Sequence, residues 1–315
     1  MLRLIGRRLL LMIPTLILAS ILIFALAEVL PGDVGRSILG QYASEADVAA
    51  LNHKLGADRP LVVRYAVWAG NFVTGDWGES PILQLPVRPW VMAALWNSLL
   101  LAGFALVLIV PTSIALGVFS GLRRDSALDR TITVSTLSMT VIPEFVSGVV
   151  LLYVFAVWLK WLPVSAMPPD GSPFYERLYY LILPAIPLMF LELGYIARMA
   201  RVGTVQVLAM PYIRTAVLKG VPRSRVIFGH VLRNAMVPTV TVIGSQVGWL
   251  IGGLVVIETL FVYPGIGKVM VDAALSHDVP TLEASVLLVA IIYMLSNLVA
   301  DIVVALLNPR IRKGG

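Results

Sequence analysis

The sequence predicts an all-α integral membrane protein with six transmembrane helices and both termini in the cytoplasm. Three observations predict it: the composition, the number of apolar runs, and the placement of positive charge. Of 315 residues, 58% are hydrophobic and only 13% are charged, against about a quarter charged in a soluble domain. Six apolar runs reach the ~20 residues that a helix needs to cross a ~30 Å hydrocarbon core. Sixteen of the 24 Lys and Arg residues lie in four stretches at the ends of those runs: three in 1–8, three in 123–130, seven in 198–233 and three in 310–313. Basic residues beside apolar spans mark the cytoplasmic side.

The first run, about 9–30, follows Arg3, Arg7 and Arg8. Ala25-Leu26-Ala27 has the small-x-small form of a signal-peptidase site. The run ahead of it is longer than the ~7–15 residues of a signal h-region, so an uncleaved first helix is favoured. Residues 31–91 change character, with Pro31-Gly32-Asp33 and Gly75-Asp76-Trp77-Gly78, and hold no spanning run. Ser44-Glu45-Ala46-Asp47, followed by Val48, Leu51 and Leu55, predicts a capped amphipathic helix. This region is expected outside, as a small lid of short helices.

The second span is expected at about 93–120, with Pro111 inside it, and the third at about 132–159, with Pro143-Glu144 inside it. A proline-rich external turn precedes the fourth, about 178–197, which contains Pro184, Pro187 and Glu192. The fifth is about 235–257, and residues 258–281 are too short and broken to span, so they predict an external re-entrant or surface segment. The sixth, about 283–307, leads into the basic tail Arg310, Arg312 and Lys313. In the fifth, Gly244-x-x-x-Gly248 allows close approach of another helix, either within the chain or at a dimer seam. The whole reads as one membrane domain over 1–315.

Several function classes are excluded or weakened. The net charge of +6 does not point to nucleic acid, because the basic residues form neither a tail nor a solvated helix face. With no cysteine there is no disulfide, thiolate site or cysteine nucleophile. His53, His230 and His277 stand alone, so no metal site is expected within the chain. Gly265-Ile266-Gly267-Lys268-Val269 lacks the first glycine of a phosphate-binding loop and the hydroxyl after its lysine. No catalytic residue and no bound cofactor is expected.

The chemistry concentrates in 198–233, between the fourth and fifth spans. No Asp or Glu occurs between Glu192 and Glu258. A helix of about Tyr212 to Lys219 is predicted, stopped by Gly220, Val221 and Pro222, with a second starting near Ser224. Tyr212 and Ala216 share a face at i, i+4, and small Ala216 and Gly220 would let a partner backbone approach. The intramembrane acids Glu144, Glu192 and Asp301 are a second candidate group. At ~2.5–3.5 kcal/mol per mid-bilayer charge, such groups face protein or a wet cavity. They either line a solute path or serve structure, each hydrogen-bonding a neighbouring helix or, for Glu192, pairing with Arg198. Pro143 and Pro184/Pro187 are candidate helix breaks beside a cavity.

Tyr212-Ile213-Arg214-Thr215-Ala216, then Gly220, then His230 and Arg233-Asn234-Ala235 with Pro238, resembles the EAA loop of ABC importer permeases. It looks most like the branch that carries di- and oligopeptides, nickel and related solutes. The signature's opening positions fall on Arg214, Thr215 and Ala216 and its glycine on Gly220; its closing Leu-Pro is Leu232-Arg233 here. The resemblance runs from Leu30-Pro31-Gly32-Asp33 to Asn308-Pro309-Arg310-Ile311-Arg312. It implies the type I importer permease fold and a helix that seats in a groove of an ATPase subunit. Tyr212, Arg214, Thr215, Ala216, Gly220, His230 and Arg233 are the expected docking residues. It also implies a homologous second permease, two ABC ATPase subunits holding ATP and Mg, and a periplasmic or lipid-anchored solute-binding protein. Two other classes compete: an ion-coupled secondary transporter using the intramembrane acids, which often shows two related halves not evident here, and a membrane scaffold displaying the basic loop.

Overall fold

Twelve helical segments make up the described part of the chain, which in this computed structural model comprises residues 2–29, 39, 42–55, 59–169 and 171–307. The Leu30–Asp33 and Asn308–Arg312 motifs and the basic tail lie outside it. In order, the helices are α1 (Leu2–Val29), α2 (Glu45–Leu55), α3 (Leu61–Thr74), α4 (Val87–Leu122), α5 (Ala127–Val141) and α6 (Glu144–Leu151). Then come α7 (Phe174–Leu208), α8 (Pro211–Leu218), the single turn α9 (Arg223–Arg225), α10 (Leu232–Leu260), α11 (Ile266–Ser276) and α12 (Val279–Leu307). Wider π-helical turns continue α6 over Leu152–Trp158 and join α9 to α10 over Val226–Val231.

Among the described residues, five helices are long and apolar enough to cross a bilayer; α5 and α6 pass the same test together as a bent pair, and counted as one span they bring the number to six. The chain gathers into two compact units, Met1–Arg7 with Leu99–Tyr263 and Leu295–Gly315, and Arg8–Ser98 with Pro264–Met294.

The larger unit is built on α7, which packs against α10, α5 and α6. Its core joins Leu101, Ala105 and Ile109 of α4, Leu183, Leu188 and Ile196 of α7, and Leu250, Leu254 and Ile257 of α10. Small residues bring the backbones together. A Cβ on Gly117 of α4 would stand 2.2 Å from the Ala197 carbonyl oxygen, and one on Gly194 would stand 2.6 Å from that of Thr136. Gly203 lies equally close, at 2.5 Å, to the Ala235 oxygen of α10. Gly244 lies against Ala300 of α12, so that glycine serves packing within the chain rather than a dimer seam.

The third expected span is broken at Pro143, one of the candidate breaks: two helices are bent by 100° between Val141 and Glu144. The cause is Pro143: it disfavours the helical region for Ile142, which adopts φ −75°, ψ 121°. Pro184 and Pro187, also candidate breaks, interrupt nothing, and α7 runs through both. The fourth span also outruns its expected end at 197. Thirty-five residues at ~1.5 Å each make a helix of about 52 Å, well beyond the ~30 Å of hydrocarbon.

In the smaller unit, Ser44 caps α2, its hydroxyl accepting from the Asp47 amide at 3.2 Å. The rings of Phe24, Trp68, Phe72 and Trp77 stack in sequence with centroids 5.0–6.0 Å apart. Buried Asp278 accepts from the hydroxyls of Ser80 and Thr281, tying the turn at 79–86 to the start of α12. The segment expected to be re-entrant carries the helix α11, whose first amide, on Ile266, donates to Ser98 at 2.8 Å.

Candidate functional site

The basic loop is folded around a core of its own. Val207, Ile213, Val226, Val231 and Ala235 are buried together, with Leu208, Ala216, Val221 and Met236 against them. Pro211 opens α8 at a position where its missing N–H costs nothing. The helix stops because Gly220 takes a left-handed φ of +74°, the backbone region that glycine adopts without a steric penalty. The Val221 amide then closes back onto the Ala216 carbonyl at 3.2 Å. Pro222 starts the next turn, and π-helical turns carry the chain into α10.

This core decides which residues face out. Ile213 is buried, and Ala216 is half-buried with part of its surface against the same core. The exposed side carries Arg214, Thr215, Val217 and Leu218, the last 79% exposed. Tyr212 is exposed too, and its hydroxyl accepts from Asn234 Nδ2 at 3.0 Å, which also donates to the His230 carbonyl at 2.9 Å. That bond ties α8 to the start of α10. His230 and Arg233 are exposed, as is Phe228 at 71%. Nothing stands within 4 Å of a Cβ built on Gly220, so its role within the chain is conformational.

The acids divide. Glu192, on α7, is only 1% exposed. Its Oε2 accepts from Gln246 Nε2 of α10 at 2.6 Å, and its Oε1 has no hydrogen-bond partner among the described residues. Of the two structural readings of Glu192, a hydrogen bond to a neighbouring helix and a pairing with Arg198, this bond is the first. Glu144, at the start of α6, is half-buried; its Oε2 would stand 3.1 Å from a Cβ on Gly253. Asp301, on α12, is half-buried. The break at Pro143 starts α6 at Glu144 and sets that residue against Gly253 of α10.

Sequence reasoning missed the strongest polar contact of this unit. Arg201 Nε and Nη2 donate to the two oxygens of Asp129 at 2.6 and 2.7 Å. Asp129 belongs to the cap of α5, where Ser126 accepts from its amide at 3.1 Å. Ser126-x-x-Asp129 is legible as a cap; Arg201 lies 72 residues away, and no spacing announces it.

Five apolar helices of spanning length, a bent pair, and a folded basic loop between α7 and α10 define a multi-pass helical membrane protein. Residues 113–313 match the family described as binding-protein-dependent transport system inner membrane component. Residues 1–82 match the corresponding N-terminal family of these membrane components. The chain is 37% identical over 308 residues to the oligopeptide transport system permease protein AppB of Bacillus subtilis, covering 97% of this chain and 98% of that one. It is 36% identical over 333 residues to the di/tripeptide transport system permease protein DppB of Pseudomonas aeruginosa, covering 99% of each. It is also 36% identical over 315 residues to the glutathione transport system permease protein GsiC of Escherichia coli K12, again covering 99% of each. The chain therefore belongs to the family of inner-membrane components of binding-protein-dependent transport systems. It is a permease subunit of an ABC importer, multi-pass in the inner membrane, and works in a complex with other subunits.

Proposed function

We propose that this permease moves short peptides, glutathione among them, into the cell. A solute-binding protein delivers them, and two separate ATPase subunits, holding ATP and Mg, drive the movement. A homologous second permease completes the path. The relatives named for oligopeptides, di/tripeptides and glutathione support the solute class. Both termini and the 198–233 loop face the cytoplasm in this reading, and residues 31–91 face out.

The observation that carries the reading is the loop. A basic segment with its own buried core, holding Arg214, Thr215, Leu218, Phe228, His230 and Arg233 outward, is built to seat on another protein. A headgroup-binding segment needs charge beside a membrane, and exposed Leu218 and Phe228 suit it as well as they suit a protein partner, but it does not need a shape fixed by a core of its own. No bond in the solute breaks. The loop receives the closing motion of the ATPases, and the spans rock between inward- and outward-open states. Half-buried Glu144 is the acid placed to meet solute in the path, with Asp301 second to it, while Glu192 holds α7 to α10.

The test uses the complex purified from native membranes through a tag on this chain and placed in vesicles. Uptake of trialanine and of glutathione should require ATP and stop with vanadate. Uptake that ignores vanadate and follows an ion gradient would establish a secondary carrier instead. Gly220 isolates the loop. Left-handed backbone costs a branched residue ~1–2 kcal/mol, while Asn tolerates it. Gly220→Leu should therefore lose ATPase co-purification, and Gly220→Asn should keep it. Equal co-purification with both variants removes the docking role of this turn.

A further inference from the structure

The geometry points to Asp129 and Arg201 as a positioning pair: their ion pair clamps the α4–α5 turn to α7, so that this turn travels with the docking helix α8 as one block. The inference rests on α8 being the ATPase-docking element.

Asp129 is 2% exposed and uses both oxygens fully. Oδ1 accepts from Arg201 Nε and the Ser120 hydroxyl; Oδ2 accepts from Arg201 Nη2 and from the Asp125 amide, the last at 2.9 Å. These four contacts satisfy the approximately four acceptor sites of a carboxylate. They also reach three elements at once: the end of α4 through Ser120, the turn through Asp125, and α7 through Arg201. A bidentate guanidinium–carboxylate pair fixes orientation as well as distance. Two further approaches hold the same end. A Cβ on Gly121 would stand 2.8 Å from Thr204 Cβ and 3.1 Å from the Arg201 carbonyl oxygen, and Gly117 lies against Ala197.

Arg201 stands seven residues before the end of α7, and only Ala209 and Met210 separate that end from α8. Val207 of α7 and Ile213 of α8 are buried in one core. A push on α8 therefore reaches Arg201 through packed helix, and Asp129 hands it to α4 and α5. Removing Arg201 alone would leave the Asp129 carboxylate buried without its counter-charge. The informative variant is the paired Asp129→Asn/Arg201→Gln, which keeps hydrogen-bonding groups and buries no lone charge.

The experiment uses spin labels at Arg124, in the α4–α5 turn, and at Leu218, on α8, in the vesicle-reconstituted complex with and without ATP-vanadate. The chain has no native cysteine to interfere. With the clamp intact, the two labels should keep a single distance in both states. In Asp129→Asn/Arg201→Gln that distance should spread and shift on trapping, and ATP hydrolysed per solute moved should rise roughly 2- to 30-fold, the range that networks of this kind carry. A distance as narrow and constant in the variant as in the unaltered chain overturns the clamp. If the variant assembles poorly, Arg201→Lys, which keeps charge but loses the fork, must show the same spreading, or the inference fails. A cysteine at Thr215, cross-linked to the ATPase, separates the two readings. Without that cross-link the docking reading falls, and the clamp inference falls with it. With the cross-link and an unchanged distance, only the clamp inference falls.

Discussion

Gly117→Ala should destabilise the larger unit, although alanine is the better helix former. The added methyl would sit 2.2 Å from the Ala197 carbonyl oxygen and 2.7 Å from Ala200 Cβ. The first of these is backbone of α7 and cannot rotate away. Ordinary contact begins more than an ångström further out, so α4 must move off α7 along their shared core. Overpacking of this kind costs about 1–3 kcal/mol. Gly103→Ala on the same helix is the control. Nothing stands within 4 Å of its Cβ position, and there the helix propensity of alanine contributes up to ~1 kcal/mol in its favour. The two single-methyl variants should therefore differ by roughly 1–4 kcal/mol. At ~2–4 °C per kcal/mol that is a gap of about 2–16 °C between their melting temperatures. Thermal unfolding of the detergent-solubilised complex, followed by tryptophan fluorescence, measures it. If Gly117→Ala melts at or above Gly103→Ala, the close α4–α7 contact is not a feature of the working protein.

Glu192→Ala should lower the melting temperature by leaving Gln246 Nε2 without its acceptor, at ~1–3 kcal/mol, and should reduce uptake of charged and neutral peptides alike. Selective loss of charged solutes would instead put Glu192 in the path. Glu144→Gln should do the reverse, altering charged solutes more than neutral ones at an unchanged melting temperature. A cysteine at exposed Ile82 should react with an impermeant maleimide from outside, and one at exposed Ser224 only from within. Labelling of both from one side would refute the topology.

The broken third span has a mechanical consequence. A straight helix over 127–158 would cross the bilayer once and carry Glu144 on one continuous face. The bend at Ile142-Pro143 instead starts a new helix at Glu144 and sets its first turn against Gly253 of α10. Backbone freed at such a break must be satisfied by protein or a wet cavity. Here the Val146 and Ser147 amides return to the Pro143 carbonyl.

What the sequence alone determined is what depends on local composition. A bilayer demands continuous apolar helix, so the class and most spanning runs can be read from hydropathy. The stop at Gly220 and the caps of α2 and α5 depend on one or two residues each and are equally legible. Pro143 shows the limit: Pro143, Pro184 and Pro187 look alike in sequence, yet only the first breaks a helix. Whether the groups freed by a proline find partners depends on neighbouring helices. Partnership across the chain is likewise tertiary. Glu192 pairs with Gln246 rather than nearby Arg198, and Arg201 pairs with Asp129. Ala216 rests partly against the loop's own core. A helix period says which residues share a face, but it cannot say which face a neighbour will cover. In a chain whose spans are apolar all round, that choice falls to close packing of glycines and a few polar contacts, which exist only once the helices have met.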